Sequence, residues 1–285
     1  MTMNDLDNLR RIAPAKLGAA RDLAHKAVQL VTRSARANLP AAPDDSHSNL
    51  EWNGKHGAFL AQPLTGESGT IVVGFAVSRF ELIVICNEQE IAAHALSGAT
   101  DPDATEWLDA QLTDAGLAPM SSTVLPYDLP ASVEQITAYA PEEIAAELEA
   151  LASWYGLAEK ILTATVNKLA HLHPGPSPIR CWPHHFDIAT YIGLEAGDFE
   201  SARGIGVGMS PGDDTYGEPY FYINPWPYPS TDTLPALPAP GHWHTQGFVG
   251  AIATASEVLT LTDLDKDLAH FTDASVTLGR TILES

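Results

Sequence analysis

TIVVGFAVSRFELIVIC, residues 70–86, decides the fold class. Two runs rich in Val, Ile and Phe, Thr70–Val77 and Phe80–Cys86, are separated only by Ser78-Arg79. Branched and aromatic side chains suit a pleated, half-buried surface, and each run has the length of a strand. So short a link cannot carry a crossover, so the two runs are predicted to pair as antiparallel neighbours. Upstream, Trp52–Leu60 reads as a further short β segment, with turns at Gly54-Lys55 and Gly66–Gly69.

Helical patterns flank this block. In the Ala-rich stretch Leu17–Leu39, Leu23, Ala27, Leu30 and Val31 fall on one face and Pro40 ends the run. Ala104–Leu117 reads as a helix capped by Asp101 or Asp103, with Trp107, Leu108 and Leu112 inward. Ala118–Pro141 contains Pro119, Pro126, Pro130 and Pro141 and reads as a connection. Pro141-Glu142-Glu143 then opens a long helix, with Pro in the first turn and acids against the helix dipole. Its apolar stripe runs through Ile144, Leu148, Leu151, Tyr155, Ala158, Leu162 and Val166 to about His171.

A second β-rich block follows the prolines at 174, 176 and 178: Ile179–Ile192, Gly204–Met209, Tyr220–Asn224 and Gly247–Ala253 are predicted strands. Thr262–Leu283 is a final predicted helix. The fold class is therefore α+β, two similar halves of short antiparallel strands with packed helices. Val73-Gly74-Phe75 and Val207-Gly208-Met209 as matching positions suggest an internal duplication. The expected organisation is an amino-terminal α+β half over 1–120, a connection and long helix over 121–178, and a carboxy-terminal α+β half over 179–285.

The chain of 285 residues is 45% hydrophobic, enough for a real core. Its 36 Asp+Glu against 15 Lys+Arg give a formal net charge of −21, which repels nucleic acid and anionic membrane. Met1–Arg11 lacks the apolar core of a secretory signal, and the best apolar run, Leu82–Cys86, is strand-sized. A soluble cytoplasmic protein is the expectation, and an oligomer is compatible with the sequence. Cys86 and Cys181 are too few for a disulfide scaffold and form no zinc-type spacing.

The chemistry-bearing residues concentrate between Cys181 and His244. In Trp182-Pro183-His184-His185-Phe186-Asp187, read as strand, His185 and Asp187 share a face and form a candidate acid–base pair. Ser210-Pro211-Gly212-Asp213 reads as a turn with Gly at positive φ, and Asp213, Asp214 and Glu218 add acids after it. Tyr222 belongs to an aromatic strand, and Pro225–Pro240 is a long proline-rich loop in which Trp226 and Tyr228 are placed to stack on a flat or sugar-like ligand. His242-Trp243-His244, if extended, presents both imidazoles on one side, a recurrent way to offer two nitrogens to a metal. Asp187, His185 and Glu218 are the candidates for a third ligand, Asp187 first among them, with Glu218 or Asp213 completing the shell. Trp182, His184, Glu218, Tyr222, Trp226, Tyr228 and Trp243 are the expected ligand-binding residues. Gly204-Ile205-Gly206-Val207-Gly208 is not a dinucleotide loop, because no helix follows it; close strand packing explains it.

Trp182–Asp187, Ser210–Asp213 and Glu218–Tyr222 resemble a bacterial family of unknown function that shares a Phe-Asp strand, a Gly/Pro hairpin and a Phe-Tyr strand. The resemblance covers Pro178 to about Leu283 and implies the layout, with Asp187 in the shared pattern, but no reaction. Two functions fit these residues: a small-molecule-binding or structural protein with an aromatic and His-rich pocket, or a hydrolase-type enzyme using a divalent metal or His/Asp acid–base chemistry.

Overall fold

The computed structural model describes residues 8–197 and 201–284, so residues 1–7 of the amino-terminal segment lie outside it. The chain divides into two compact units, and its architecture is α+β. The first unit comprises residues 17–152 and 181–186; the second comprises the described residues within 8–16, 153–180 and 187–284.

In the first unit, helix α1 (Gly18–Asn38) packs on an antiparallel sheet. The strands are β1 (Glu51–Asn53), β2 (Ala58–Leu60), β3 (Leu64–Gly66), β4 (Gly69–Ala76), β5 (Glu81–Cys86) and β6 (Gln89–Ala95). Their order is β1-β2-β4-β5-β6, with β3 paired to β4. The hairpin read from residues 70–86 is present: Val73 lies opposite Val84 and Phe75 opposite Leu82. The turn read at Gly54-Lys55 within Trp52–Leu60 is present: residues 54–57 reverse the chain between β1 and β2, and Gly57 takes φ +57°. Strand β6 has no counterpart in the sequence reading. It is an edge strand whose residues are mostly exposed, so no apolar alternation marks it. Asn87 and Glu88, both left-handed at φ 47° and 70°, form the two-residue turn that leads into it. Helix α2 (Asp101–Asp114) is capped by Thr100 in a capping box with Asp103, so the cap lies one residue before Asp101 and three before Asp103, the acids expected to supply it. A short helix, α3 (Ala131–Glu134), lies in the proline-rich connection.

Helix α4 (Ala145–Leu169) follows a single 3₁₀ turn over Pro141–Ile144 and contributes to both units. The strands of the second unit's sheet are β7 (Gly175–Pro176), β9 (Asp187–Gly193), β10 (Gly204–Ser210), β11 (Tyr220–Trp226), β12 (His242–His244) and β13 (Gly250–Thr254). They run in the order β12-β13-β11-β10-β9-β7, and each neighbouring pair is antiparallel. A short strand β8 (Arg180–Trp182) precedes β9. The predicted continuous strand Ile179–Ile192 is therefore interrupted: residues 183–186 are a turn, closed by the Phe186 N–H donating to the Trp182 carbonyl at 2.7 Å. The short helix α5 (Ala255–Val258) leads to α6 (Leu264–Glu284), which packs on β10 and β11.

Alternation along β11 buries Phe221, Ile223 and Pro225 and leaves Tyr222, Asn224 and Trp226 half-buried on the other face. On that face β10 presents Gly206 and Gly208 opposite Asn224 and Tyr222. A Cβ on Gly206 would stand 2.3 Å from Asn224 Oδ1; one on Gly208 would stand 2.5 Å from the Tyr222 ring and 2.8 Å from the Ile188 carbonyl oxygen. The glycine run thus lets neighbouring polar side chains lie flat across the strand. Gly208→Ala is expected to cost about 1–3 kcal/mol, and Gly206→Ala less, since a side-chain amide can move aside and a backbone carbonyl cannot. Urea denaturation of the two variants checks the ranking.

Each unit has a helix before and after its antiparallel strands, and Gly74 and Gly208 lie on interior strands, β4 and β10. The likeness is one of order and does not establish duplication.

Candidate functional site

The Trp182–Phe186 segment belongs to the first unit. Helix α1 holds it: His25 Nε2 and Gln29 Nε2 both donate to the Pro183 carbonyl, each at 2.8 Å. The Tyr127 hydroxyl donates to Gln29 Oε1 at 2.9 Å and so fixes the amide that makes the second bond. His25 is buried and stacks on Phe186 at 5.1 Å. Burial pushes its pKa down to about 4, against the opposing pull of the Pro183 hydrogen bond. The half-buried His184 ring lies 4.3 Å from His185, 5.6 Å from Tyr127 and 6.3 Å, edge-on, from Trp182. Burial, and then the neighbouring His185, lower its pKa to about 4. His185 is exposed at the tip of the turn.

The strand geometry that would have put His185 and Asp187 on one face is absent, because the turn intervenes. Asp187 is the first residue of β9 in the second unit and accepts the Tyr222 hydroxyl. Glu218 accepts the N–H and the hydroxyl of Ser256, at 2.8 and 2.6 Å, at the start of α5. Asp213 accepts the N–H groups of Thr215 and Tyr216 and the Tyr220 hydroxyl, at 2.8, 2.9 and 2.6 Å. Gly212 takes φ +108°, as the Ser-Pro-Gly-Asp turn requires. Trp243 donates its indole N–H to the Pro235 carbonyl at 2.7 Å and ties down the proline-rich loop. Trp226 and Tyr228 meet edge-on at 5.0 Å, with Tyr228 41% exposed.

His242 and His244 do share a face, as their spacing predicts, and converge on one atom. His242 Nε2 lies 3.3 Å, and His244 Nδ1 3.0 Å, from the Tyr216 hydroxyl oxygen. The far nitrogen of each ring is also held. His242 Nδ1 is 3.2 Å from Glu257 Oε1, and His244 Nε2 is 2.6 Å from the Gln246 carbonyl. His244 also stacks on Phe248 at 4.2 Å. Glu257 owes its place to the capping box of α5: its Oε2 accepts the Thr254 N–H at 2.8 Å, leaving Oε1 for the imidazole. Tyr216 owes its place to the Asp213 turn and to ring contact with Tyr220 at 4.8 Å. Burial, followed by the charges of Glu257 and Asp213, raises the Tyr216 pKa, so the phenol keeps its proton near neutrality. The side chains of His242 and Glu257 are 42% and 37% exposed, so a small solute can reach the cluster.

Tyr216 and Glu257 are the members that the sequence reading missed. Thr254-Ala255-Ser256-Glu257 carries the capping-box signature, which foretells the helix start but not the histidine beyond it. Among the described residues, no group of three or more His, Cys, Asp or Glu is arranged to hold a metal ion. Among the described residues, no helix is long and apolar enough to cross a membrane. Comparison with models of protein families, with curated proteins and with solved structures finds no match.

Proposed function

We propose that this is a small-molecule-binding protein whose ligand docks at the Tyr216–His242–His244 cluster beside the edge strand β12. The observation that supports the reading is the convergence of two imidazoles on one phenol, with both rings locked from behind by Glu257 and the Gln246 carbonyl. Polar groups whose orientation is set by a supporting layer are the usual mark of a recognition site. The Trp226–Tyr228 pair offers aromatic surface in the same unit. The strongly acidic composition favours a small or cationic partner over nucleic acid and suits a cytoplasmic setting. Membership of the bacterial family with the Phe-Asp strand is part of this reading and rests on the motifs quoted above.

An acid–base enzyme is the second reading, favoured by one feature. The Tyr216 hydroxyl lies between two imidazoles, one of them backed by a carboxylate, and such a chain can pass a proton.

Ligand-observed NMR against a library of small polar metabolites tests the binding reading. Wild type is expected to give specific hits that His244→Ala weakens at least tenfold while its unfolding midpoint stays close to that of wild type. Hits that persist unchanged in His244→Ala, or none at millimolar concentration, would count against it.

A further inference from the structure

The hydrogen bonds around Tyr216 do not close with the hydrogens that neutral groups supply. Glu257 Oε1 can only accept, so His242 Nδ1 must donate to it and His242 Nε2 is left with a lone pair. The Gln246 carbonyl can only accept, so His244 Nε2 must donate and His244 Nδ1 is left with a lone pair. Both of these nitrogens lie within hydrogen-bond distance of the Tyr216 hydroxyl oxygen, at 3.3 and 3.0 Å. That hydroxyl has one hydrogen and satisfies one of them. The other contact calls for a second positive centre, a proton or a metal ion, shared between nitrogen and oxygen.

Three further features favour a metal ion as that centre. The far nitrogen of each ring donates to a carboxylate or a backbone carbonyl, the arrangement that fixes the tautomer of metal-ligating histidines. Metal–ligand bonds of about 2.0–2.1 Å in a tetrahedron put ligand atoms about 3.3 Å apart, close to the two separations seen here. The remaining acids near by, Asp213 and Glu218, are spent on the Thr215 and Tyr216 amides, the Tyr220 hydroxyl and Ser256, so they do not compete for the position.

We propose that His242 Nε2, His244 Nδ1 and the Tyr216 oxygen form a three-ligand site for one divalent transition-metal ion of the zinc class, with a fourth position open to solvent or ligand. On binding, the phenol O–H breaks, its proton leaves to solvent, and the oxygen bonds to the metal as phenolate. The metal replaces a proton, so no oxidant or reductant takes part. Two imidazoles suit zinc, and three protein ligands with one open position is the pattern of sites that present a bound water or substrate. Tyrosine takes the place expected for Asp187, which is held by Tyr222. This inference rests on the binding reading above and specifies how the ligand would be held.

The test is calorimetric titration of Zn²⁺ into chelator-stripped protein prepared without a histidine tag, in two buffers of different ionisation enthalpy. One Zn²⁺ per chain is expected, with release of a proton. His242→Ala and His244→Ala should weaken binding at least a hundredfold. Tyr216→Phe, which keeps the ring and its packing, should weaken it about tenfold and abolish the proton release. Absence of stoichiometric binding, or Tyr216→Phe matching wild type in both affinity and proton release, would overturn the site. Should a variant unfold, ¹⁵N spectra of the wild-type imidazoles decide. Zn²⁺ must shift His242 Nε2 and His244 Nδ1 and leave their far nitrogens protonated; a ring that only gains a proton, with no response to Zn²⁺, means the missing centre is a proton and the metal site fails. A metabolite that binds stripped and zinc-loaded protein equally well would leave the binding function standing and remove the metal from it.

Discussion

Acidification from pH 7 to pH 4 is expected to strip about 3 kcal/mol from the stability of the first unit through one residue, His25. The imidazole is 4% exposed, stacks on Phe186, and gives its Nε2 hydrogen to the Pro183 carbonyl. Burial holds its folded pKa at about 4, against 6.5 for a free imidazole. Between those values the unfolded chain carries the extra proton and the folded chain does not. Unfolding stability therefore rises with pH in that window: it is fully present above 6.5, falls as the pH drops, and is fully lost below about 4. His184, lowered to about 4 by burial but with a partly exposed ring, acts in the same direction with a smaller weight. The check is urea denaturation at half-unit steps from pH 7 to 4, in wild type and in His25→Phe. The phenylalanine keeps a ring against Phe186, and Gln29 still serves the Pro183 carbonyl. It is expected to lose about 1 kcal/mol at pH 7 for the missing hydrogen bond and to flatten the slope in the window. An unchanged slope in His25→Phe would refute the assignment.

His25 also shows where sequence reading reaches its limit. Helix α1 was legible from one apolar face and a terminal proline, and β4–β5 from two branched runs with a two-residue link. Those signals are local, and the physics behind them acts within a few residues. That His25 and Gln29 turn inward to hold Pro183, more than 150 residues away, is visible only once the chain has folded. The break at 183–186 had a partial signal in Pro183, which cannot donate in a sheet ladder, but the apolar residues on either side read through it. Strand β6 was invisible for the opposite reason: an exposed edge strand needs no apolar alternation.

The same contrast holds at the candidate site. His242 and His244 were placed on one face by the period of a strand, which is a local rule. Tyr216 comes from the loop before β11 and Glu257 from the cap after β13, so their meeting depends on strand order β12-β13-β11 and on no spacing in the chain. Asp187, Asp213 and Glu218 read as acids near histidines, whereas the structure engages them with tyrosine and serine hydroxyls and backbone amides. Composition marks the region dense in His and aromatic residues, and long-range pairing determines which of its residues meet.

Phe186→Ala is expected to be the most damaging single truncation in the Trp182–Phe186 turn, at about 3–5 kcal/mol. Phe186 is fully buried between His25, at 5.1 Å, and Phe59, at 5.2 Å, and is the side chain that carries the turn into the first unit's core. Its backbone is left-handed at φ +58°, a conformation that costs a residue with a Cβ about 1–2 kcal/mol. Alanine removes the ring and keeps that strain; glycine removes the ring and the strain together. The order of stability should therefore be wild type, then Phe186→Gly, then Phe186→Ala, the reverse of the order that side-chain size alone would give. Urea denaturation at pH 7 reads the ranking, and Phe186→Ala within 1 kcal/mol of wild type, or more stable than Phe186→Gly, would contradict the role given to the turn. The two residues are also coupled. Without the ring, His25 is less deeply buried, its folded pKa moves back toward 6.5, and the acid window narrows. In the double variant His25→Phe with Phe186→Ala the losses should fail to add, because each substitution removes part of the same stacked pair. Additive losses would mean that the stack contributes packing area alone and that the depressed pKa of His25 has its origin elsewhere in the core.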